Sequence, residues 1–302
     1  MALNRALFTK QLNLGLNTVF GMEYDRYPEQ WRSLYSTEQS MKAFEEDVQM
    51  IGFGAAPTKA EGAMINYDSG REGFVSRYVH ETVALAFAIT EEAEEDGLYG
   101  SLGAKYARAL ARSMQQTKEI KGANIFNTAT TTSLGGDGQA LLDPSHPLGG
   151  GGTASNILGT PADLSETSLE TLLVQISTAV DDRSIPIALS GRKLAVPPQL
   201  VFIAERILKS NLRPGTADND INAMRNMGMI PEGVVVNQRF TNPDQYFILT
   251  DCPDGMKHFV RAPIKKAVEG DFETGNLRYK CRERYSFGFT DWRGVYGSEG
   301  VA

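Results

Sequence analysis

The longest regular pattern of apolar and polar positions runs from Leu98 to about Phe126 and predicts one continuous helix. The apolar positions at helical spacing are Tyr99, Leu102, Tyr106, Leu110 and Ile120. Separate from them, Lys105, Arg108 and Arg112 form a basic stripe. At roughly 1.5 Å per residue the helix would span about 43 Å, which exceeds the core of a small domain. It therefore needs packing partners on more than one side.

The first 35 residues carry scattered leucines and then several aromatic side chains. This pattern predicts a short helix followed by an extended arm. Two interpretations stay open: the arm docks on another surface, which its aromatic residues would allow, or it packs on its own domain. The aromatic residues are Tyr24, Tyr27, Trp31 and Tyr35.

From Val48 onward, glycines break the pattern into short pieces, which predicts a long glycine-rich hairpin. We expect its second arm to contain Val83 to Ile89, where larger apolar residues alternate with alanines as in a strand with one packed face. The tip, around Ala55 to Glu61, has too few apolar residues for a core of its own. Such a hairpin needs support from something outside it.

After the long helix, a passage of small polar residues at 128–158 is predicted to be a surface loop, because glycines and prolines interrupt it. A helix is predicted to follow Ser165. A strand from Leu194 to Val196 comes next, stopped by two prolines, and then a helix to about Lys209.

The last third is rich in strand patterns and closes with alternation of period two from Leu277 to Phe289. One face of this strand is apolar apart from Glu283, and the other is basic, with Arg278, Lys280, Arg282 and Arg284. Two interpretations of the basic face stay open. It is a solvated face that can pair with the acidic run Glu91 to Asp96 within or between subunits, which we favour, or it contacts packaged nucleic acid through the phosphate backbone.

Composition narrows the class of protein. The chain has 302 residues, 41% hydrophobic and 22% charged, enough for one elaborate domain or two ordinary ones. A formal net charge of -7 argues against nucleic-acid binding through overall charge but allows a local basic face. Two distant cysteines, Cys252 and Cys281, favour a reducing compartment. We expect no signal peptide and no membrane span, since no stretch approaches ~20 apolar residues.

No motif for catalysis, nucleotide binding or metal binding is present in the sequence. Ser145 and His146 are adjacent and raise a remote hydrolase alternative, but no nucleophile elbow surrounds them, so His146 is interpreted as a loop residue. Gly149 to Gly152 is interpreted as a flexible turn. The carboxylates of Glu91 to Asp96 lack the spacing of a calcium loop. We therefore expect no enzymatic activity, no cofactor and no metal.

The order of these elements, together with five segments, resembles the tailed-phage major capsid proteins of the Hong Kong 97-type fold, and most closely the Mu-like major head subunit family. The segments are KYARALARSMQQTKEIKGANIFN, DGQALLDPSHPLGGGGTASN, LSETSLETLL, GRKLAVPPQLVFIAERIL and YKCRERYSFGFTDWRGVYG. The resemblance runs from about Gly52 to Gly297. It implies an α+β fold with an N-terminal arm, an E-loop, a spine helix, and peripheral and axial domains.

The resemblance also implies how the chain is divided. The arm would cover residues 1–47, the E-loop hairpin 48–88, the peripheral domain 89–187 with its spine helix at 98–126, the axial domain 188–268, and the return strand of the peripheral domain 269–302.

Members of this family form the heads of tailed bacteriophages or prophages. The resemblance thus implies an icosahedral virion shell of hexamers and pentamers, self-assembled in the host cytoplasm, with a portal, decoration proteins in some cases, and non-specific contacts to packaged double-stranded DNA. Because the arm begins almost at Met1, we expect a separate scaffold protein. The same-fold alternative is an encapsulin-like cellular nanocompartment.

Some relatives join neighbouring subunits by a lysine–asparagine isopeptide bond from the E-loop. Lys59 lies near the predicted hairpin tip, yet no motif identifies an asparagine partner or a catalytic carboxylate, and we expect no crosslink. Lys59 thus joins the two basic sets, Lys105, Arg108, Arg112 and Arg278, Lys280, Arg282, Arg284, as candidate inter-subunit or DNA-facing charges.

Overall fold

The computed structural model describes residues 9–90, 92, 99–212, 221–271 and 275–301. In these ranges the helices are α1 (Thr9–Tyr24), α2 (Tyr99–Asn127), α3 (Glu166–Ser177), α4 (Val201–Lys209) and α5 (Ala223–Met227). The strands are β1 (Ser36–Gln39), β2 (Phe44–Ile51), β3 (Arg71–Val79), β4 (Glu81–Ile89), β5 (His146–Pro147), β6 (Thr153–Ala154), β7 (Gly191–Val196), β8 (Val234–Val236), β9 (Tyr246–Thr250), β10 (Met256–Gly270), β11 (Leu277–Phe289) and β12 (Val295–Ser298). None of the described helices is long and apolar enough to span a bilayer.

One sheet contains the long strands in the order β1-β10-β11-β4. β1 runs parallel to β10, and the other pairs are antiparallel. Helices α1 and α2 cover one face of this sheet, where Phe20, Leu110, Met114 and Tyr279 belong to one buried cluster. The alternation predicted for the closing strand is confirmed from Leu277 to Tyr285, because its apolar residues face this cluster and its basic residues face away.

A second sheet has the order β12-β9-β7-β8 and packs with α3 in the larger core. The predicted strand is confirmed as β7, and the predicted helix ends at Lys209 as α4. Ser165 caps α3: its hydroxyl accepts the backbone N–H of Ser168, whose side chain in turn accepts the N–H of Ser165.

The predicted glycine-rich hairpin exists, but its second arm was assigned to the wrong strand. β2 pairs with β3, from Phe44 opposite Val79 to Ile51 opposite Arg71. The segment Val83 to Ile89 lies in β4 and pairs with β11 instead. The chain changes sheets at His80, which is buried with Ser40 and Ser286 against its two ring nitrogens. Alternation predicts that a segment is a strand, but it does not identify the partner strand.

The long helix is confirmed as α2, 29 residues from Tyr99 to Asn127. Its buried face includes the predicted Leu110 but differs in part from the predicted one, since Tyr106 and Ile120 are exposed. Small residues share the packed face: a side-chain carbon added at Gly122 would lie 2.9 Å from Cβ of Trp31. Close approach of neighbouring elements therefore selects the face. The side chains of Tyr99 and Leu102 lie outside the described residues.

The polar passage 128–158 is not the surface loop that was predicted. Leu141, His146 and Asn156 are fully buried within it. The Asn156 side-chain amide donates to the carbonyl oxygens of Leu141 and Val295, at 2.6 and 2.9 Å. A buried polar side chain thus satisfies backbone groups that have no partner in regular structure.

The glycine run Gly149 to Gly152 is confirmed as a turn, and it connects the paired strands β5 and β6. Gly151 and Gly152 have φ values of 104° and 90°, which glycine adopts without strain. The Gly150 N–H donates to the carbonyl oxygen of Asp182 at 2.7 Å.

Strand β10 crosses the predicted boundary between 188–268 and 269–302. It pairs with β11 over nearly its whole length in the first sheet, whereas β12, predicted with the return strand, joins the second sheet. The sheet that a strand joins depends on its pairing partners, which can lie far away in the sequence. A domain boundary placed along the sequence therefore does not predict it. The division into arm, E-loop, peripheral and axial domains stays a prediction.

Candidate assembly interface

The tip of the β2–β3 hairpin, residues 52–70, is an irregular segment that exposes large apolar side chains. Tyr67 is 94% exposed and Met64 is 87% exposed. Phe53 and Ile65 are also exposed on the same segment. Clustered apolar side chains of this size on a surface mark a site of contact with another molecule.

In contrast to the tip, the base of the hairpin is fixed on the body of the protein. The Tyr78 hydroxyl lies 2.7 Å from Oγ1 of Thr290, which donates to the Asp47 carboxylate at 2.7 Å. The Lys257 ammonium also binds Asp47. Burial acts to raise the pKa of Asp47, but the hydrogen bonds from Lys257 and Thr290 outweigh it and hold that pKa below its usual value.

The hairpin backbone also lies directly on a glycine of the passage that follows α2. A side-chain carbon added at Gly136 would lie 2.7 Å from the carbonyl carbon and oxygen of Val75 in β3. Any side chain at Gly136 would therefore displace the hairpin.

Arg183 fixes the near end of the tip. Its guanidinium donates to the Asp68 carboxylate at 3.1 Å and to the carbonyl oxygen of Ser69 at 2.7 Å. Backbone N–H groups of Gly54 and Ser69, together with Arg183, lower the pKa of Asp68. Lys59 is exposed on the tip and makes no hydrogen bond or ion pair with the described part of the chain.

Two interpretations were open for the N-terminal arm, and Trp31 and Tyr35 of its described part pack on their own domain, whereas Tyr27 is 49% exposed. Phe20 and Trp31 are buried, and Phe20 lies in the cluster beneath α2. The buried Glu119 carboxylate of α2 accepts the backbone N–H groups of Gln30 and Trp31, at 2.7 and 3.1 Å. Burial nevertheless raises the pKa of Glu119 above its usual value. Glu119 was not predicted as a functional residue, although an acid at a packed helical position was a usable signal in the sequence.

The predicted basic stripe of α2 divides into two parts. Lys105 and Arg108 are exposed, and no ion pair joins them to other described residues. Arg112 instead binds the arm, because its Nε lies 2.6 Å from Oε1 of Glu23. The hydrogen bond from Arg112 is the main cause of a lowered pKa at Glu23.

The predicted basic face of β11 is present on the outer side of the sheet. Lys280 and Arg282 are exposed, Arg284 is half-buried, and Arg278 pairs with Asp271. Opposite them in register, Ala84, Ala86 and Ala88 of β4 leave the surface flat. Apart from the exposed Glu92, the acidic run Glu91 to Asp96 lies outside the described residues, so its predicted pairing with this face stays untested.

The structure does not bring the two basic sets together. The packed face of α2 shares a buried cluster with Tyr279 and Cys281 of β11. Lys280 and Arg282 alternate with these residues and point to the opposite side of the sheet. The basic face of β11 and the exposed residues of α2 therefore lie on opposite sides of one layer.

Glu283, the exception in the apolar face of β11, forms a buried ion pair. Its carboxylate lies 3.6 Å from Nζ of Lys118 in α2, and both side chains are largely buried. The Lys118 ammonium also lies over the rings of Trp31 and Tyr285, at 5.0 and 5.2 Å from their centroids. Burial raises the pKa of Glu283, while the Lys118 charge opposes that rise.

Ser145 and His146 do not form a nucleophile–base pair. The Ser145 hydroxyl donates to Asp143 at 2.9 Å, whereas the two ring nitrogens of His146 face Asp137 and Asn156. His146 is fully buried, which prevents access to a substrate. Among the described residues, no group of three or more acids, histidines or cysteines is arranged to hold a metal ion.

The chain matches a known family and known structures. The family model described as phage capsid protein matches residues 74–298. No curated protein sequence matches the chain. In structure it is similar to the capsid of an empty GTA particle, with a TM-score of 0.56, 11% identity, and coverage of 91% of this chain and 90% of that one.

Two further solved structures are similar. The procapsid protein of bacteriophage JBD30 has a TM-score of 0.51 and 14% identity, covering 99% of this chain and 77% of that one. The virus-like particle from Pyrococcus furiosus has a TM-score of 0.53 and 10% identity, covering 94% and 98%. At such identities the likeness shows the fold alone, and it confirms the predicted α+β fold of the Hong Kong 97 type.

Proposed function

The chain belongs to the phage capsid protein family, and from this premise we propose how its surfaces serve the shell of a virion. It is a major capsid protein, a structural component whose work is to associate with copies of itself. Shell proteins bind through area and repetition, so the surfaces to identify are those that face a neighbouring copy and those that face the contents.

The hairpin tip is proposed to lie across a neighbouring copy. The observation that carries this proposal is the contrast between a fixed base and an exposed apolar tip. Hydrogen bonds among Tyr78, Asp47 and Thr290 fix the base, while the side chains of Phe53 and Tyr67 are exposed to solvent. A rigid base positions the apolar tip outside the body, where burial against another subunit would stabilise it.

The test is to replace Phe53 and Tyr67 together by serine. Shells should fail to form, as seen by electron microscopy and gel filtration, while the urea midpoint of the unassembled chain stays unchanged. Val174→Ser is the matched control, because Val174 is 62% exposed but lies on α3, away from the hairpin. Shells of normal size and yield from the double variant would contradict the proposal.

The basic face of β11 is proposed to meet packaged double-stranded DNA through non-specific phosphate contacts. This face is favoured over α2 because it offers more cations without an ion pair in the described chain: Lys280, Arg282 and Arg284 on β11, against Lys105 and Arg108 on α2. Since the two basic sets lie on opposite sides of one layer, only one of them can face the interior.

Charge reversal tests this assignment. Lys280→Glu with Arg282→Glu should lower the DNA content of purified particles, whereas Lys105→Glu with Arg108→Glu should leave it close to normal. Both pairs change the net charge equally. Unchanged DNA content in the β11 variant would remove the proposed role.

The finer features are proposed on the motifs of the sequence. The chain would belong to a Mu-like subfamily and form hexamers and pentamers in an icosahedral shell. Assembly would take place in the host cytoplasm with a separate scaffold and a portal.

The subunits are proposed to carry no covalent crosslink at Lys59. Reduced and boiled particles should run as monomer on a denaturing gel. A ladder of crosslinked subunits that is lost in Lys59→Arg would contradict this proposal. The likeness to the Pyrococcus furiosus particle shows the fold alone and does not favour a cellular nanocompartment.

A further inference from the structure

Four cationic side chains surround one small pocket on the outer side of the long-stranded sheet. The pocket has a volume of about 150 Å³ and is lined by Arg261, Ala262, Lys265, Arg282 and Arg284. Two of the cations come from β11 and two from β10. No acidic side chain lines it.

Irregular pairing of β10 produces this pocket. Ala262 lies opposite Arg284, and Lys265 lies opposite Arg282. An advance of three residues along β10 therefore corresponds to an advance of only two residues along β11. A second shift separates Val260 from Ala262. Pro263 lies between the two paired positions and cannot donate a ladder hydrogen bond, which is typical of a bulge. Bulges redirect side chains, and here the redirected side chains are basic.

The positive charge of the pocket is not neutralised within the described chain. Arg261, Lys265, Arg282 and Arg284 form no ion pair with other described residues. The Nε atoms of Arg261 and Arg284 are buried and have no hydrogen-bond partner there. A buried donor without a partner destabilises the protein, so a ligand that accepts these hydrogen bonds would be favoured.

The neighbouring His80 responds to the same charges. Burial is the main cause of its lowered pKa, and the charges of Arg284 and Arg261 lower it further. The charge of Glu45 acts in the opposite direction. The charges of Arg284 and Arg261 thus act on the pKa of His80 in the same direction as burial.

We propose that this pocket binds a phosphate-type oxyanion, either a free phosphate or a phosphodiester group of nucleic acid. Three guanidinium groups offer planar pairs of N–H donors that match phosphate oxygens, and Lys265 adds a point charge. The choice of a phosphodiester as natural ligand rests on the proposed DNA-facing role, but binding of a small phosphate does not.

The probe is pyrophosphate, titrated calorimetrically into the purified chain at matched ionic strength. The chain should bind it saturably at one site per subunit. Lys265→Gln should weaken this binding by about tenfold or more, because it removes one charge-assisted contact. Lys105→Gln is the matched control: both lysines are exposed and form no ion pair with other described residues, yet Lys105 lies on α2 and does not line the pocket. It should change the affinity by about twofold or less.

Arg284→Gln provides a second test, on a residue of the opposite strand, and it should weaken binding as Lys265→Gln does. Unfolding midpoints of every variant establish that the fold is intact. Binding that does not saturate, or equal loss in Lys265→Gln and Lys105→Gln, would overturn the proposal.

A short DNA duplex then distinguishes the two sources of the oxyanion. Pyrophosphate that displaces the duplex from the unaltered chain, but not from Lys265→Gln, identifies the phosphodiester backbone. Independent binding of pyrophosphate and duplex identifies a small free phosphate. Because pyrophosphate binding is measured without particles, a failure of DNA packaging in shells remains distinguishable from a failure of this pocket.

Discussion

The imidazole ring of His146 lies flat on the indole of Trp292, with centroids 4.4 Å apart and 5° between the ring planes. Both ring nitrogens face side-chain oxygens, Oδ2 of Asp137 at 2.7 Å and Oδ1 of Asn156 at 3.2 Å. Asn156 continues the network to the backbone of Leu141 and Val295. His146 thereby joins the passage after α2 to the second sheet.

His146→Ala should therefore destabilise the protein by about 2–4 kcal/mol, because it leaves the buried Oδ2 of Asp137 without a partner and removes the ring that stacks on Trp292. Oδ1 of Asn156 keeps the backbone N–H of Asp143. Urea unfolding of the unassembled chain measures this loss. Ser145→Ala is the control: Ser145 is exposed, and its loss should change stability by about 0.5 kcal/mol or less. Similar losses in the two variants would contradict a structural role for His146.

Gly136→Ala should detach the hairpin from the body, because the added carbon would lie 2.7 Å from the Val75 carbonyl group. We expect a loss of roughly 1–3 kcal/mol and faster proteolysis within β2 and β3. Gly159→Ala is the matched control, since nothing lies within 4 Å of a carbon added there. Proteolysis of the hairpin at the normal rate in Gly136→Ala would show that the contact at Val75 does not position it.

His258 should make stability depend on pH between neutral and mildly acidic conditions. It is buried between Trp31 and Phe287, and burial, followed by the positive charges of Lys118 and Arg32, lowers its pKa to about 3. In the unfolded chain it titrates near 6.5. Below that pH the unfolded state binds a proton that the folded state excludes, so stability falls as the pH drops from 6.5 towards 3.

The expected contribution of His258 to this fall is about 2 kcal/mol between roughly pH 7 and pH 5. Unfolding free energies at the two pH values measure it, and His258→Phe should reduce the fall by that amount. At the higher pH the His258 ring of the unaltered chain is mostly neutral in both the folded and the unfolded state. The comparison of the two proteins at that pH is therefore the control. An equal fall in the variant and the unaltered chain would assign the pH dependence to other groups.

Local patterns predicted the parts of the fold that depend on neighbouring residues. The helical period from Leu98 to Phe126 and the alternation from Leu277 to Tyr285 correspond to α2 and β11 almost residue for residue. The basic residues of β11 were accordingly placed on the correct, outward face. Arg261 and Lys265 were missed, because the bulges that bring them beside Arg282 are a property of strand pairing and not of either strand alone.

The sequence by itself determined which segments of this capsid protein are helices and strands and which charges alternate outward, because side-chain period and proline position act over a few residues. Only the tertiary structure decided that Val83 to Ile89 pairs with β11, that the passage 128–158 is buried, and that four cations meet at one pocket. Those outcomes depend on contacts between residues far apart in the chain, where packing and hydrogen-bond satisfaction outweigh local preference.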